Sequence, residues 1–310
     1  MANANMARLQ QLRRATQLGF FALFLLAPAL NLLRFDLQQT QLWVLGCRWS
    51  LGIDAFKQGA LSANEAALAI LLRGILPALL LAAGFLGLAW RYGRVYCGWL
   101  CPHFSLVELL NGLLQRASGR LSIWEPASGP RGQGGWWPLF VLSGLFFGFL
   151  WAITLLTYLL PPAQIWSGLL HGSLTPNQAR FVVIGGLLFS TEMLLARHLF
   201  CRFGCAVGLF QSLAWMANPR ALVVAFARER ASDCRSCNTA QAPEGAACDV
   251  ACPMRLKPRN IKRLMFSCVQ CGQCLRECEN SHQQRGQAAS LQWTVGLDAL
   301  RETLKQRRQE

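Results

Sequence analysis

Four stretches of this chain are long enough and apolar enough to cross a lipid bilayer as helices. The hydrocarbon core of a bilayer is about 30 Å thick and needs about 20 apolar helical residues. The stretches lie near Thr16–Leu33, Ala66–Trp90, Trp136–Leu160 and Phe181–Leu199. The first resembles a signal peptide because Arg8, Arg13 and Arg14 precede it, but it lacks a small-x-small cleavage site. We therefore expect it to be a retained span.

Charged residues are scarce in these stretches and concentrated after Arg197. Only 15% of all residues are charged, although the net charge is +15, and soluble domains average about 25% charged residues. Membrane proteins collect Lys and Arg on their cytoplasmic side. Basic residues precede the first stretch, separate the second from the third and follow the fourth, whereas Pro161–Gln178 contains none. The pattern predicts cytoplasmic termini, and without a nucleic-acid-binding motif it favours the lipid bilayer over nucleic acid as partner.

The thirteen cysteines are unevenly placed with respect to this topology. All but Cys47 fall on the predicted cytoplasmic side, where thiols stay reduced, so the pattern indicates metal ligation rather than disulfides. Cys47 is an odd cysteine on the outside, and we expect it to be a buried apolar residue.

A complete C-x2-C-x2-C-x3-C run lies near the C-terminus. Its members are Cys268, Cys271, Cys274 and Cys278. Thiolates at this spacing hold a [4Fe–4S] cluster, with the fourth cysteine serving a second cluster. Zinc sites instead use C-x2-C pairs separated by longer stretches. The run therefore predicts an iron–sulfur centre.

An interrupted copy of the motif precedes this run. The insertion Asn238–Ala247 separates Cys234 and Cys237 from Cys248 and Cys252, and Pro253 ends the motif. A loop of this length closes at modest entropic cost, so the cage can still form. Crosswise ligation then predicts one cluster on Cys234, Cys237, Cys248 and Cys278, and a second on Cys268, Cys271, Cys274 and Cys252.

The segment Met254–Ser267 between the two copies is strongly basic. It carries Arg255, Lys257, Arg259, Lys262 and Arg263. The segment is either a solvated face near anionic lipid headgroups or a dock for an acidic electron-transfer partner. We favour the first interpretation without excluding the second.

A C-x3-C motif follows the second stretch and recurs after the fourth. The first elbow is Cys97–Cys101 with Pro102 behind it, and the second elbow is Cys201–Cys205, shifted by 104 positions. Each runs into another apolar helical stretch, which predicts an internal twofold repeat. The four thiols could bind a metal or a further cluster, form reversible disulfides, or pack as structural pairs. Duplication with unchanged spacing favours redox-active thiols or an additional metal centre.

Two ionisable residues lie within the apolar stretches, Arg73 in the second and Glu192 in the fourth. An intramembrane charge indicates function by default. Glu192 precedes Cys201 by nine residues, about 13 Å along a helix axis. It suits a proton acceptor beside a quinone, and it suits equally a carboxylate paired with another helix. None of the four histidines lies mid-span, so haem b is not expected.

At these residues the chain resembles the NapH/MauN family of ferredoxin-type membrane proteins. NosR-type and CcoG-type proteins share its C-x3-C-P elbow and polyferredoxin tail, although here Ala206 replaces the second proline. The resemblance implies an electron-transfer subunit of a quinol dehydrogenase-type complex in the bacterial inner membrane. It would pass electrons from the quinone pool through partner redox proteins toward a periplasmic reductase or maturation system.

Two other functions remain open. Similarity to CcoG-type proteins implies a copper-reducing or cofactor-maturation factor, and a structural hypothesis makes the chain an assembly anchor. In every case the sequence predicts an α-helical polytopic membrane domain over residues 1–219, with four spans and two elbows. A small α+β dicluster ferredoxin-like domain over 220–285 and a basic tail over 286–310 follow.

Overall fold

The computed structural model describes residues 2–39, 41–125, 132–237, 247–284, 286–299 and 301. Most of the insertion Asn238–Ala247 and the end of the basic tail lie outside these residues. The α-helices, in chain order, are α1 Ala2–Leu26, α2 Ile53–Lys57, α3 Ala63–Ile70, α4 Leu76–Tyr92, α5 Val95–Trp99, α6 Pro102–Ser118, α7 Trp137–Leu159, α8 Pro162–His171, α9 Pro176–Thr191, α10 Ala206–Ala217, α11 Ala247–Val250 and α12 Gln273–Gln283. The strands are β1 Leu33–Asp36, β2 Gln41–Val44, β3 Cys47–Trp49, β4 Leu222–Phe226 and β5 Leu291–Val295.

Among the described residues, three helical stretches are long and apolar enough to cross a membrane, so this is a membrane protein. They are Ala63–Tyr92, Gly134–Leu159 and Pro176–Ala196, and they match the second, third and fourth predicted spans. The first predicted span is not among them, because α1 ends at Leu26. Pro28 cannot continue the helix hydrogen bonding, and Asn31 adopts a left-handed φ of 52°.

The first of these stretches contains a local widening of the helix. Ser62 and Glu65 form a capping box at its start, which satisfies two otherwise unpaired N–H groups. A π turn over Leu71–Ile75 then joins α3 to α4. Within it the carbonyl of Arg73 accepts a hydrogen bond from the Trp49 indole at 2.8 Å. A π turn leaves such a carbonyl open to an outside donor.

The chain forms two compact units. Unit 1 contains Met1–Phe21, Leu88–Gly144 and Thr191–Glu310, and unit 2 contains Ala22–Gly87 and Leu145–Ser190. Unit 1 therefore combines residues of the predicted membrane domain, the predicted ferredoxin-like domain and the predicted basic tail. The reason is that the start of α1 and the first elbow pack with the cysteine-rich tail.

Unit 2 contains a three-stranded antiparallel sheet in the order β1-β2-β3. Arg34 and Asp36 on β1 form a buried ion pair at 2.9 Å. Cys47 begins β3 and is exposed, so the expectation of a buried Cys47 was wrong. The reason is that β3 lies at the edge of the sheet, where all three of its residues are exposed.

The tail in unit 1 is built on a small antiparallel sheet and short helices. β4 pairs with β5, with Val224 opposite Trp293. One hydrophobic core joins this sheet to both elbows, and it includes Cys97, Cys201, Val223, Val269 and Cys271. The tail is thus packed against the elbows rather than tethered beside them.

A cluster of polar side chains from α1, which we call the α1 hub, binds both the first elbow and the tail. Arg13 is only 2% exposed and contacts the Glu108 carboxylate at 3.0 Å. The same guanidinium donates to the Gly98 carbonyl at 3.1 Å. Gln10 donates to the Cys271 carbonyl at 2.8 Å. Buried carbonyls of irregular loops need such donors.

We predict that Arg13→Met destabilises the protein by about 2 kcal/mol. Breaking a fully buried pair costs about 3–5 kcal/mol, and the effect is smaller here because the Glu108 side chain is 15% exposed. Thermal unfolding in detergent, followed by circular dichroism, measures the change. Arg14→Met is the matched control, because Arg14 is the exposed neighbour. Equal losses of stability in both variants would contradict a stabilising role of the α1 hub.

Candidate functional site

Each elbow is preceded by a residue with a positive φ and ends with a cysteine that caps a helix. In the first elbow Gly93 has a φ of 69°, and Cys101 is the N-cap of α6. At the positions 104 residues later, Arg197 has a φ of 38° and Cys205 is the N-cap of α10. The sequence repeat therefore extends to the backbone, and Ala206 starts a helix just as Pro102 does.

The structure brings the four elbow cysteines together. Burial raises the pKa of the Cys101 thiol to about 12, and the neighbouring thiols of Cys97 and Cys205 add to this shift. Burial also raises the pKa of the Cys201 thiol well above its ordinary value, with Cys101 and Cys97 contributing. Cys97 and Cys201 also belong to one hydrophobic core, against which Cys101 packs. The elbow thiols thus lie near one another, and four thiols are a donor set for a soft metal or a cluster.

A buried guanidinium and a buried amide face the Cys97 sulfur. Arg94 is 1% exposed, and its Nη2 donates to the Cys201 carbonyl at 2.7 Å and lies 3.9 Å from the Cys97 Sγ. Gln211 donates to the same sulfur at 3.3 Å. Gly208 leaves the room for this arrangement, since a Cβ there would overlap the Arg94 guanidinium.

The first tail set surrounds one small cavity with mainly apolar walls. Its cysteines are Cys252, Cys268, Cys271 and Cys274. The Leu256 N–H donates to the Cys252 sulfur at 3.4 Å, and backbone N–H groups of Gln270 and Gln273 bind the sulfurs of Cys268 and Cys271. Hydrogen bonds to the sulfurs are a feature by which proteins hold and tune iron–sulfur clusters. The residues therefore fit a cubane.

The second tail set consists of four cysteines whose thiols interact with one another. Burial raises the pKa of Cys248, and Cys278 and Cys237 raise it further. Burial raises the pKa of Cys278 in the same way, with contributions from Cys237 and Cys234. These interactions are compatible with the two ligand sets of crosswise ligation, but Cys274 of the first set also interacts with Cys248 of the second. The division into two sets and the ligation both stay predictions.

No three His, Cys, Asp or Glu side chains in the described part of the chain are placed to hold a single metal ion. A cubane imposes a different spacing, because each thiolate binds a different iron atom of the cluster.

The first elbow lies directly against the cysteine loop of the tail. A Cβ at Gly98 would overlap the carbonyl oxygen of Val269. Beside this contact the Trp99 indole donates to the Gln270 carbonyl at 3.1 Å. The backbone of the elbow at Gly98 therefore touches the backbone of the loop that carries Cys268 and Cys271.

Glu192 lies at the end of the third membrane-length helix, within a π turn. Its Oε2 is 2.8 Å from the Nε2 of His103, and the His103 Nδ1 is 3.6 Å from the Cys201 sulfur. The second carboxylate oxygen of Glu192 is buried without a hydrogen-bond partner. The carboxylate is therefore linked to the elbow thiols through one imidazole.

Only part of the basic segment Met254–Ser267 is solvated. Arg255 and Arg259 form ion pairs with Glu125 and Asp249, and Lys262 donates to two backbone carbonyls. The exposed basic side chains are those of Lys257 and Arg263.

A protein-family model matches part of the chain. A family model described as a 4Fe-4S binding domain matches residues 75–120, a segment that contains Cys97 and Cys101 and none of the tail cysteines. No curated protein and no solved structure matches the chain. With the membrane-length helices, this match defines the class: the chain is an iron–sulfur protein of a membrane. Iron–sulfur electron transfer is the activity that it supports.

Sequence reasoning proposed roles for the cysteines and for Glu192, which stay predictions, and it did not predict their polar neighbours. Arg94, His103 and Gln211 carry no motif of their own. The repeat offers no signal for Arg94, because His198 occupies the equivalent position in the second half.

We predict that Gly98→Ala destabilises the protein by about 1–3 kcal/mol, because overpacking forces the two loops apart. Hydrogen exchange of residues 268–274 should accelerate, and thermal unfolding in detergent should shift downward. Gly112→Ala on α6 is the control, because a Cβ there meets open space and removing a helical glycine gains about 1 kcal/mol. Unchanged exchange in Gly98→Ala would refute the contact.

Proposed function

We propose that this protein is a quinol-linked electron-transfer subunit of the bacterial inner membrane, with two [4Fe–4S] clusters in its cytoplasmic tail. The clusters would supply one-electron transfer. The observation that carries the proposal is the direct packing of the first tail set against the first elbow, at the inner end of a membrane-length helix. The elbow cysteines would add redox-active thiols or a further metal centre to the same route.

The proposed topology has four crossings with both termini in the cytoplasm. Gln10, Arg13 and Gln17 of α1 bind the first elbow and the tail, so they lie on the tail's side of the bilayer. In the proposed topology, helix Ala63–Tyr92 ends beside that elbow and Ala63 lies on the opposite side of the bilayer. The chain between Gln17 and Ala63 must then cross once. The end of α1 is short for this task, and local thinning of the bilayer accommodates short spans.

We predict that a membrane-impermeant maleimide labels Cys47 from the periplasmic side of spheroplasts, because this exposed thiol follows an odd number of crossings. Mass spectrometry locates the label, and Cys47→Ser should abolish it. Inverted vesicles are the control and should protect Cys47. Labelling of Cys47 in inverted vesicles alone would overturn the orientation.

In the proposed reaction Glu192 accepts protons on the quinone side. Oxidation of a quinol to a quinone releases two protons and two electrons. The unpartnered Oε1 of Glu192 would take the protons in turn and pass them to cytoplasmic water, while His103 holds Oε2 in place at 2.8 Å. The two electrons would leave one at a time toward the tail and then to a partner redox protein.

We predict that reduced quinol changes the cluster EPR signal of the reconstituted wild-type protein. Glu192→Gln should slow this reduction by about 10²-fold or more, because it removes the proton acceptor. Dithionite is the control and should reduce both proteins equally, since it needs no quinol deprotonation. A wild-type signal that quinol leaves unchanged would refute the quinol link.

A copper-reducing or maturation factor is the second candidate, and the convergence of the four elbow thiols favours it. Soft thiolate ligands select Cu(I). Copper titration of the wild type against Cys97→Ser and Cys201→Ser variants would separate the candidates. Copper binding that depends on these residues, with no response of the clusters to quinol, would favour the second.

A further inference from the structure

A positive charge is buried at the meeting point of the elbows without a carboxylate beside it. Arg94 is 1% exposed, and none of the ion pairs among the described residues includes it. Its Nε is buried without a hydrogen-bond partner. A guanidinium cannot shed its proton in a protein, so its burial is costly unless a negative charge lies nearby.

Among the described residues, the thiols near the Arg94 guanidinium are groups that can become negative. Arg94 interacts electrostatically with Cys97, Cys201 and Cys268. A neutral thiol offers no charge to offset the guanidinium, whereas a metal-bound thiolate does. The buried arginine therefore indicates an anionic, metal-ligated state of the elbow cysteines.

We propose that Cys97, Cys101, Cys201 and Cys205 hold a third [4Fe–4S] cluster and that Arg94 is its buried counter-charge. This deepens the proposed function, because it assigns the elbow centre, and it rests on that function only for the electron route. Each elbow contributes two of the four ligands. The 4Fe-4S family match covers the pair from the first elbow.

The charges balance in this assignment. A preformed [4Fe–4S] core with charge +2, supplied by cellular cluster assembly, exchanges four S–H bonds for four Fe–S bonds, and four protons go to solvent. Four thiolates leave the complex with charge −2, of which Arg94 offsets one unit. Gln211 adds a neutral donor to the Cys97 sulfur, and such hydrogen bonds help to set cluster potentials.

The third cluster would be the entry point of the electron route. On one side, His103 links the Cys201 sulfur to Glu192. On the other side, the Gly98 backbone touches the loop that carries the first tail set. One electron would leave the elbow cluster, oxidising it, and reduce the cluster of the first tail set by the same amount.

Iron and acid-labile sulfide in anaerobically purified full-length protein test the ligand assignment. Three clusters require about twelve of each per chain. The Cys97→Ser/Cys201→Ser variant should fall to about eight, and Cys47→Ser should stay near twelve. A wild-type value near eight that the elbow variant leaves unchanged would refute the third cluster. The Cys268→Ser/Cys271→Ser variant should also lose about four irons, and its failure to do so would instead refute the tail assignment.

Elemental analysis in the same samples separates a cluster from a single ion. An elbow-dependent copper or zinc atom, with iron near eight, would overturn the assignment. Elbow-dependent iron and sulfide in equal amounts would support it.

A redox titration monitored by EPR tests the role of Arg94. Arg94→Met should shift the elbow-dependent signal to a more negative potential, because removing a buried positive charge makes the anionic cluster harder to reduce. Arg94→Lys keeps a positive charge and should return the potential most of the way to the wild-type value. The potentials of the tail clusters should change less in both variants. An unchanged elbow potential in Arg94→Met would refute the counter-charge. Should Arg94→Met not accumulate, Gly208→Ala displaces the guanidinium while keeping its charge, and the same downward shift is expected.

Discussion

The contact between the backbone of the first elbow and the cysteine loop of the tail is the constraint on which unit 1 depends. Gly98 approaches the Val269 carbonyl too closely for any side chain to intervene. Irregular loops expose carbonyls that regular structure would satisfy, and α1 supplies the missing donors through Gln10, Arg13 and Gln17. Residues of α1 are thereby built into the candidate site, although α1 contains no cysteine.

The two halves of the repeat share a backbone plan but have acquired different surroundings. Gly93 and Arg197 occupy equivalent positions with positive φ, a conformation that costs a non-glycine residue energy. The first elbow faces Arg94 and the tail, whereas the second faces His103 and the carboxylate of Glu192. The duplicated part is the four-thiol frame, and the asymmetric part is the polar environment on either side of it.

Apolar length alone predicted three of the membrane-length helices, because about 20 consecutive apolar residues have few alternatives to a span. The first predicted span is not among these helices, because α1 ends at Leu26 and Pro28 cannot continue its hydrogen bonding. Cysteine spacing identified the thiols that the structure groups together. Cysteine spacing could not predict Arg94, His103 and Gln211, because tertiary packing brings these residues to the sulfurs. Cys47 was misjudged because sequence does not reveal an exposed edge strand.

The separation of the elbows along the chain has a thermodynamic consequence. Cys201 follows Cys97 by 104 positions, so any group that binds thiols from both elbows closes a very long loop. By the chain-entropy argument used for disulfides, a link across about 100 residues restricts the unfolded ensemble by about 4.7 kcal/mol. A cofactor held there would act as a cross-link between the two halves of the polypeptide. Oxidative damage to it would then loosen the fold at the same time as it stopped electron flow.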